Sequence, residues 1–89
     1  MTVVDPAGSV VRVMGPAAVA GTGFLVGAGR RLIATCAHVV DYAGSGPGGT
    51  LDVVFHATGD RMTATVDPTQ WRDADGDDVA FAVLARRAA

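Results

Sequence analysis

The chain breaks into short apolar runs, each closed within a few residues by glycine, proline or aspartate, and this spacing is that of strands rather than long helices. Val10 to Met14 is rich in β-branched residues and lies between Gly8-Ser9 and Gly15-Pro16. Gly21 to Val26 and Arg31 to Thr35 flank Gly27-Ala28-Gly29-Arg30, a tight-turn composition, so these two runs are expected to form a hairpin. Leu51 to His56, Met62 to Val66 and Val79 to Leu84 supply three more strands. Met62-Thr63-Ala64-Thr65-Val66 alternates with a period of two, the pattern of a strand with one face in a core and the other in water.

Two connections are longer than hairpin turns. Asp41 to Thr50 contains Gly44-Ser45-Gly46-Pro47-Gly48-Gly49 and reads as a surface loop, and Asp67 to Asp78 contains Pro68, Asp73, Asp75 and Asp77. Ala37 to Tyr42 has room for one helical turn between strands. Six strands in 89 residues fit an all-β fold, a six-stranded antiparallel barrel, whose closure leaves no unpaired sheet edge. A two-sheet sandwich satisfies the same pattern. With no internal repeat and no linker, residues 1–89 read as a single domain.

Composition adds limits. Apolar residues make up 49% of the chain, enough for a packed core. All 7 basic residues are arginines, and they are scattered, which excludes a basic nucleic-acid stripe. All 9 acidic residues are aspartates, and the net charge is −2. Cys36 is alone, so no internal disulfide forms, and a single thiol accords with a reducing compartment. The N-terminal residues lack a signal-peptide pattern, and no apolar run is long enough to span a bilayer. A cytoplasmic protein with no membrane and no nucleic-acid partner is expected.

The chemistry concentrates in two segments. Gly21-Thr22-Gly23-Phe24-Leu25-Val26 is followed, after five residues, by Leu32-Ile33-Ala34-Thr35-Cys36-Ala37-His38-Val39-Val40. Forty residues beyond His38, Asp77-Asp78-Val79-Ala80-Phe81-Ala82-Val83-Leu84 places a carboxylate directly before an apolar strand. This chain resembles the trypsin-like serine proteases. In that family a Gly-Ser/Thr-Gly-Phe strand, a turn and an apolar strand ending in Thr-Ala-Ala-His surround the catalytic histidine, and the catalytic aspartate precedes Ile/Val-Ala-Leu. The residues departing from that pattern are Cys36, where relatives have Ala or Asn, and Val39, where secreted members have a cysteine. The second departure points to the disulfide-free bacterial relatives.

The resemblance implies that His38 and Asp78 are catalytic, that the chain is the N-terminal barrel of a chymotrypsin-like double barrel, and that the activity is peptide-bond hydrolysis without metal or cofactor. A serine hydroxyl attacks only when a base takes its proton, imidazole titrates in the range that suits this, and a carboxylate fixes its tautomer. The family's Gly-Asp-Ser-Gly-Gly nucleophile segment is missing. Ser9 precedes the first strand, and Ser45 sits in a Gly-Ser-Gly loop. The serine and the oxyanion hole would therefore come from a C-terminal barrel, the expected partner, and the substrate would be a polypeptide. The barrel face that meets this partner is expected to be more apolar than a free surface.

Other readings remain open at this level. The chain could be a non-catalytic trypsin-like interaction module in a larger assembly, or an unrelated small barrel. Asp77 competes with Asp78. His56 lacks a motif and reads as an ordinary strand residue. Cys36, among apolar neighbours, reads as buried and inert, and Cys36 with His38 alone is too little for a metal. Asp73-Ala74-Asp75-Gly76-Asp77 lacks the spacing and closing glutamate of a calcium loop. Trp71 reads as a packing residue or as part of the face covered by the second barrel.

Overall fold

The computed structural model describes residues 9–27 and 29–86. Ala28, inside the expected tight turn, and residues 87–89, in the tail expected to lead toward a second barrel, lie outside them. Six strands form: β1 (Val10–Met14), β2 (Val19–Val26), β3 (Leu32–Thr35), β4 (Thr50–Phe55), β5 (Arg61–Val66) and β6 (Ala80–Leu84). They close into a barrel in the order β1-β2-β3-β6-β5-β4, every neighbour pair antiparallel. The protein is therefore all-β, and the sandwich is excluded. A short helix, α1 (Ala37–Tyr42), leaves β3, and a 3-10 turn spans Pro68–Gln70. No helix among the described residues is long and apolar enough to cross a membrane.

Six strand ends differ from the sequence reading by one or two residues: β3 omits Arg31, β4 begins at Thr50 and ends before His56, which is therefore not a strand residue, β5 gains Arg61, and β2 and β6 start elsewhere for local reasons. β2 starts at Val19 rather than Gly21, because Gly15 N–H donates to Ala18 C=O (2.7 Å) and the resulting turn restores pairing at Met14–Val19. β6 starts at Ala80 rather than Val79, because Val79 exchanges backbone hydrogen bonds with Arg72 outside the barrel (2.9 and 3.1 Å).

Alternation sets the interior. Val11 and Val13 of β1, Leu25 of β2, Ile33 of β3, Leu51, Val53 and Phe55 of β4, Ala64 and Val66 of β5, and Ala80, Ala82 and Leu84 of β6 all point inward. Val39 and Val40 of α1 join them and plug the barrel at the exit of β3. Each large aliphatic side chain so buried contributes about 1.5–3 kcal/mol. Among the described residues Thr35 is the buried polar one, and its hydroxyl donates to Thr22 C=O on β2 (2.8 Å). No buried side-chain nitrogen or oxygen among the described residues lacks a partner.

The two glycines of the Gly21-Thr22-Gly23 segment have a steric explanation. A Cβ on Gly23 would stand 2.9 Å from Ile33 Cγ2, and one on Gly21 would stand 2.6 and 2.8 Å from the two γ-methyls of Val39. Gly21 thus lets α1 lie against β2. Val39 is buried and β-branched, and a helix strongly prefers one rotamer for it, so moving its methyls aside carries a cost. Gly21→Ala is expected to destabilise the protein by about 1–3 kcal/mol. Urea denaturation checks this, and an unchanged midpoint would show that the helix is not held by this contact.

Candidate functional site

His38 is presented by the end of β3. The strand stops at Thr35, Cys36 takes extended angles (φ −95°, ψ 146°) as the N-cap, and α1 begins at Ala37. Residue 38 is therefore the second residue of the helix, where a backbone N–H has no partner within its own helix. The far end of α1 is closed by a glycine-terminated cap. Gly44 adopts φ +81°, its N–H donates to Asp41 C=O (3.0 Å), and Ser45 N–H donates to Val40 C=O (3.1 Å). A helix this short is held by Ala37, Val39 and Val40 in the core, which leaves His38 on the solvent side.

Asp78 comes from the other strand of the same pair. β3 and β6 run antiparallel with Thr35 opposite Ala80, so the exit of one lies beside the entrance of the other. The loop before β6 is closed by the Arg72–Val79 bridge and by Asp78 N–H donating to Asp73 C=O (3.0 Å). Asp78 itself has φ +55°, a left-handed conformation that aspartate tolerates better than most residues with a Cβ.

The two residues meet through two hydrogen bonds. Asp78 Oδ1 accepts from the backbone N–H of His38 (2.8 Å), and Asp78 Oδ2 lies 2.5 Å from His38 Nδ1. The carboxylate thus caps α1 from forty residues away and grips the ring of the residue it caps. Its pKa is lowered from the ordinary 3.8, first by the His38 backbone N–H and then by the His38 side chain. At neutral pH Asp78 is consequently ionised and can only accept, so His38 Nδ1 is the donor in this contact, and in the uncharged tautomer that this selects the lone pair lies on Nε2. The side chains of His38 and Asp78 are 48% and 27% exposed, which leaves the ring open to a reactant. Tyr42, one turn on, stands edge-on to the ring (86°, centroids 6.0 Å apart).

The remaining candidates separate clearly. Asp78, not its exposed neighbour Asp77, meets His38. His56 is exposed in the turn beyond β4. Ser45 belongs to the helix cap and makes no bond to His38. Trp71 packs against the core and donates from its indole N–H to Asp73 Oδ1 (2.5 Å), so packing is its observed use. Cys36 packs against the core as its neighbours suggest but is partly rather than fully buried, and its thiol lies beside the pair. One ligand atom from each of Cys36, His38 and Asp78 lies within 4.8 Å of the other two. Sequence neighbours alone hid this, since the nearby carboxylate arrives from Asp78.

The direction of the Asp78 shift fixes its pH dependence. A carboxyl whose pKa is lower in the folded chain lends stability that is fully present above its ordinary value of 3.8 and is lost as the pH falls through the lowered one. Carbon-detected NMR titration should give Asp78 a midpoint below the ordinary aspartate value. In His38→Ala the midpoint should rise only part of the way back, because the larger contributor, the backbone N–H, remains. A midpoint at or above the ordinary value in the wild-type chain would refute the pairing.

No protein-family model, curated protein or solved structure matches this chain.

Proposed function

We propose that this chain is the N-terminal barrel of a cytoplasmic, disulfide-free, trypsin-like serine endopeptidase, in which His38 is general base and acid and Asp78 orients it. One observation carries the reading: the Asp78 carboxylate accepts from both the backbone N–H and Nδ1 of His38. That leaves Nε2 as a lone pair with a fixed direction, which is what proton abstraction from a hydroxyl requires. A serine on a second barrel supplies that hydroxyl. As the serine oxygen attacks the peptide carbonyl, its proton passes to Nε2, and the imidazolium so formed faces the ionised Asp78. The same proton then goes to the leaving amine. Without the second barrel the chain has a base and no serine nucleophile, and the serine-protease reaction does not run.

The outer surface supports a partner on this side. Phe24, Leu32 and Val83 are 51%, 37% and 37% exposed on the adjoining strands β2, β3 and β6. Leu32 pairs with Val83, and the row Phe24–Ala34–Phe81 lies one residue from the strand ends that carry His38 and Asp78. This apolar strip beside the pair is where a second barrel would pack. The intact pair also favours the enzyme over a non-catalytic module, which has no use for an oriented, solvent-open imidazole.

Two measurements test the reading. In the complete protein a fluorophosphonate probe should label one serine, His38→Ala should abolish labelling, and Asp78→Asn should slow turnover on the order of 10⁴-fold. Labelling that survives His38→Ala would sink the mechanism. The isolated chain should self-associate or bind an apolar dye through the β2-β3-β6 strip. A clean monomer in sedimentation that binds no dye would remove the case for a partner on that face.

A further inference from the structure

The site holds a third group for which the serine-protease reading has no use. Residues two apart on a helix do not share a face, yet Cys36 is off the helix, at its N-cap with extended backbone, and its thiol approaches His38 and Asp78. The three residues come from three backbone settings, a strand exit, a first helical turn and a left-handed loop position, so they converge on one point rather than line one element. A thiolate, an imidazole and a carboxylate form the mixed donor set that zinc accepts, commonly as three protein ligands with water in the fourth position. Cys36 is partly buried and His38 is half exposed, so the open side of the cluster faces solvent.

We propose that Cys36, His38 and Asp78 together bind one Zn²⁺ ion per chain, with water completing a tetrahedral shell. Two ligands on one tetrahedral zinc stand roughly 3.3 Å apart. The cluster is spread over no more than 4.8 Å, at most about 1.5 Å beyond that spacing. Binding releases the Cys36 thiol proton to solvent. Either imidazole nitrogen disables the base when it ligates: Nδ1 by giving up its bond to Asp78 and passing its proton to Nε2, Nε2 by losing its free lone pair. Zn²⁺ is then a reversible inhibitor of hydrolysis. That consequence rests on the protease reading, whereas the binding itself does not.

The test uses the 89-residue chain, reduced, with Zn²⁺ in calorimetry and Co²⁺ as the spectroscopic probe. The expected result is one ion per chain, with a thiolate-to-cobalt charge-transfer band and the strong d–d bands of a tetrahedral ion. Cys36→Ser should abolish the charge-transfer band. Cys36→Ser, His38→Gln and Asp78→Asn should each weaken binding at least about tenfold, since losing even a supporting outer group costs that much. His56→Ala should change nothing. Circular dichroism shows that each variant is folded, and His38→Ala replaces any His38→Gln chain that is not. Absence of the charge-transfer band, binding unchanged in Cys36→Ser, or weakening by His56→Ala overturns the site. The two proposals fail separately. A zinc-binding chain whose complete protein takes no probe removes the protease and keeps the metal. A probe-labelled protein whose chain shows no cobalt–thiolate band does the reverse.

Discussion

The site depends on one carboxylate accepting two N–H groups from one residue. Asp78 Oδ1 satisfies the backbone N–H of His38, and Oδ2 meets the ring of the same residue. The first bond is structural, since it caps a six-residue helix that cannot supply a partner for its own second N–H. The second bond is chemical, since it decides which nitrogen carries the proton. Because one side chain makes both, the ring cannot be oriented without the helix being capped. Backbone order and imidazole tautomer are coupled through a single group.

What brings that carboxylate within reach is register. Thr35 pairs with Ala80, so His38 and Asp78 leave the β3–β6 ladder at the same end, three and two residues beyond the pair. The left-handed turn at Asp78 and the Arg72–Val79 bridge then set the direction of approach. On the opposite side, Gly21 makes space for Val39, and the Thr35 hydroxyl ties β3 to β2 at Thr22. A slip of one residue in β3–β6 would turn the inward set of one strand, Ile33 or Ala82, outward and shift His38 and Asp78 out of step. Core packing therefore specifies the site as well as the fold.

Much of this was legible in the sequence, and the limits have physical causes. Period-two alternation and glycine punctuation located all six strands, because burial on one face writes itself directly into the residue order. Barrel closure was legible only as the arrangement that leaves no edge, since a pattern of faces does not encode which strands pair. The motif context singled out His38 and favoured Asp78 over its neighbour Asp77, and it is Asp78 that bonds to His38; the left-handed angle at Asp78 is a feature that no composition rule supplies. The partial exposure of Cys36 was not legible for a related reason: its local neighbours are apolar and it does pack against the core, while the polar groups near its thiol converge through tertiary structure. Residues close in sequence are poor evidence about environment wherever a strand gives way to a loop.

The geometry also bears on how the labour of a two-barrel enzyme is divided. A base assembled only on docking would draw its ordering cost from the interface, about 0.5–1.5 kcal/mol for each side chain fixed. In this chain the ring is already held, by a helix anchored through Val39 and Val40 and a carboxylate anchored by its own loop. On the proposed reading, the second barrel then brings only the nucleophile and the oxyanion donors to a base that is waiting. Such a base is accessible before the partner arrives, with a thiol beside it, and that is the condition under which a metal ion can compete for it. If the two proposals hold, the preorganisation that suits the pair to catalysis is the same property that makes it a ligand set, so such a site gains readiness and vulnerability together.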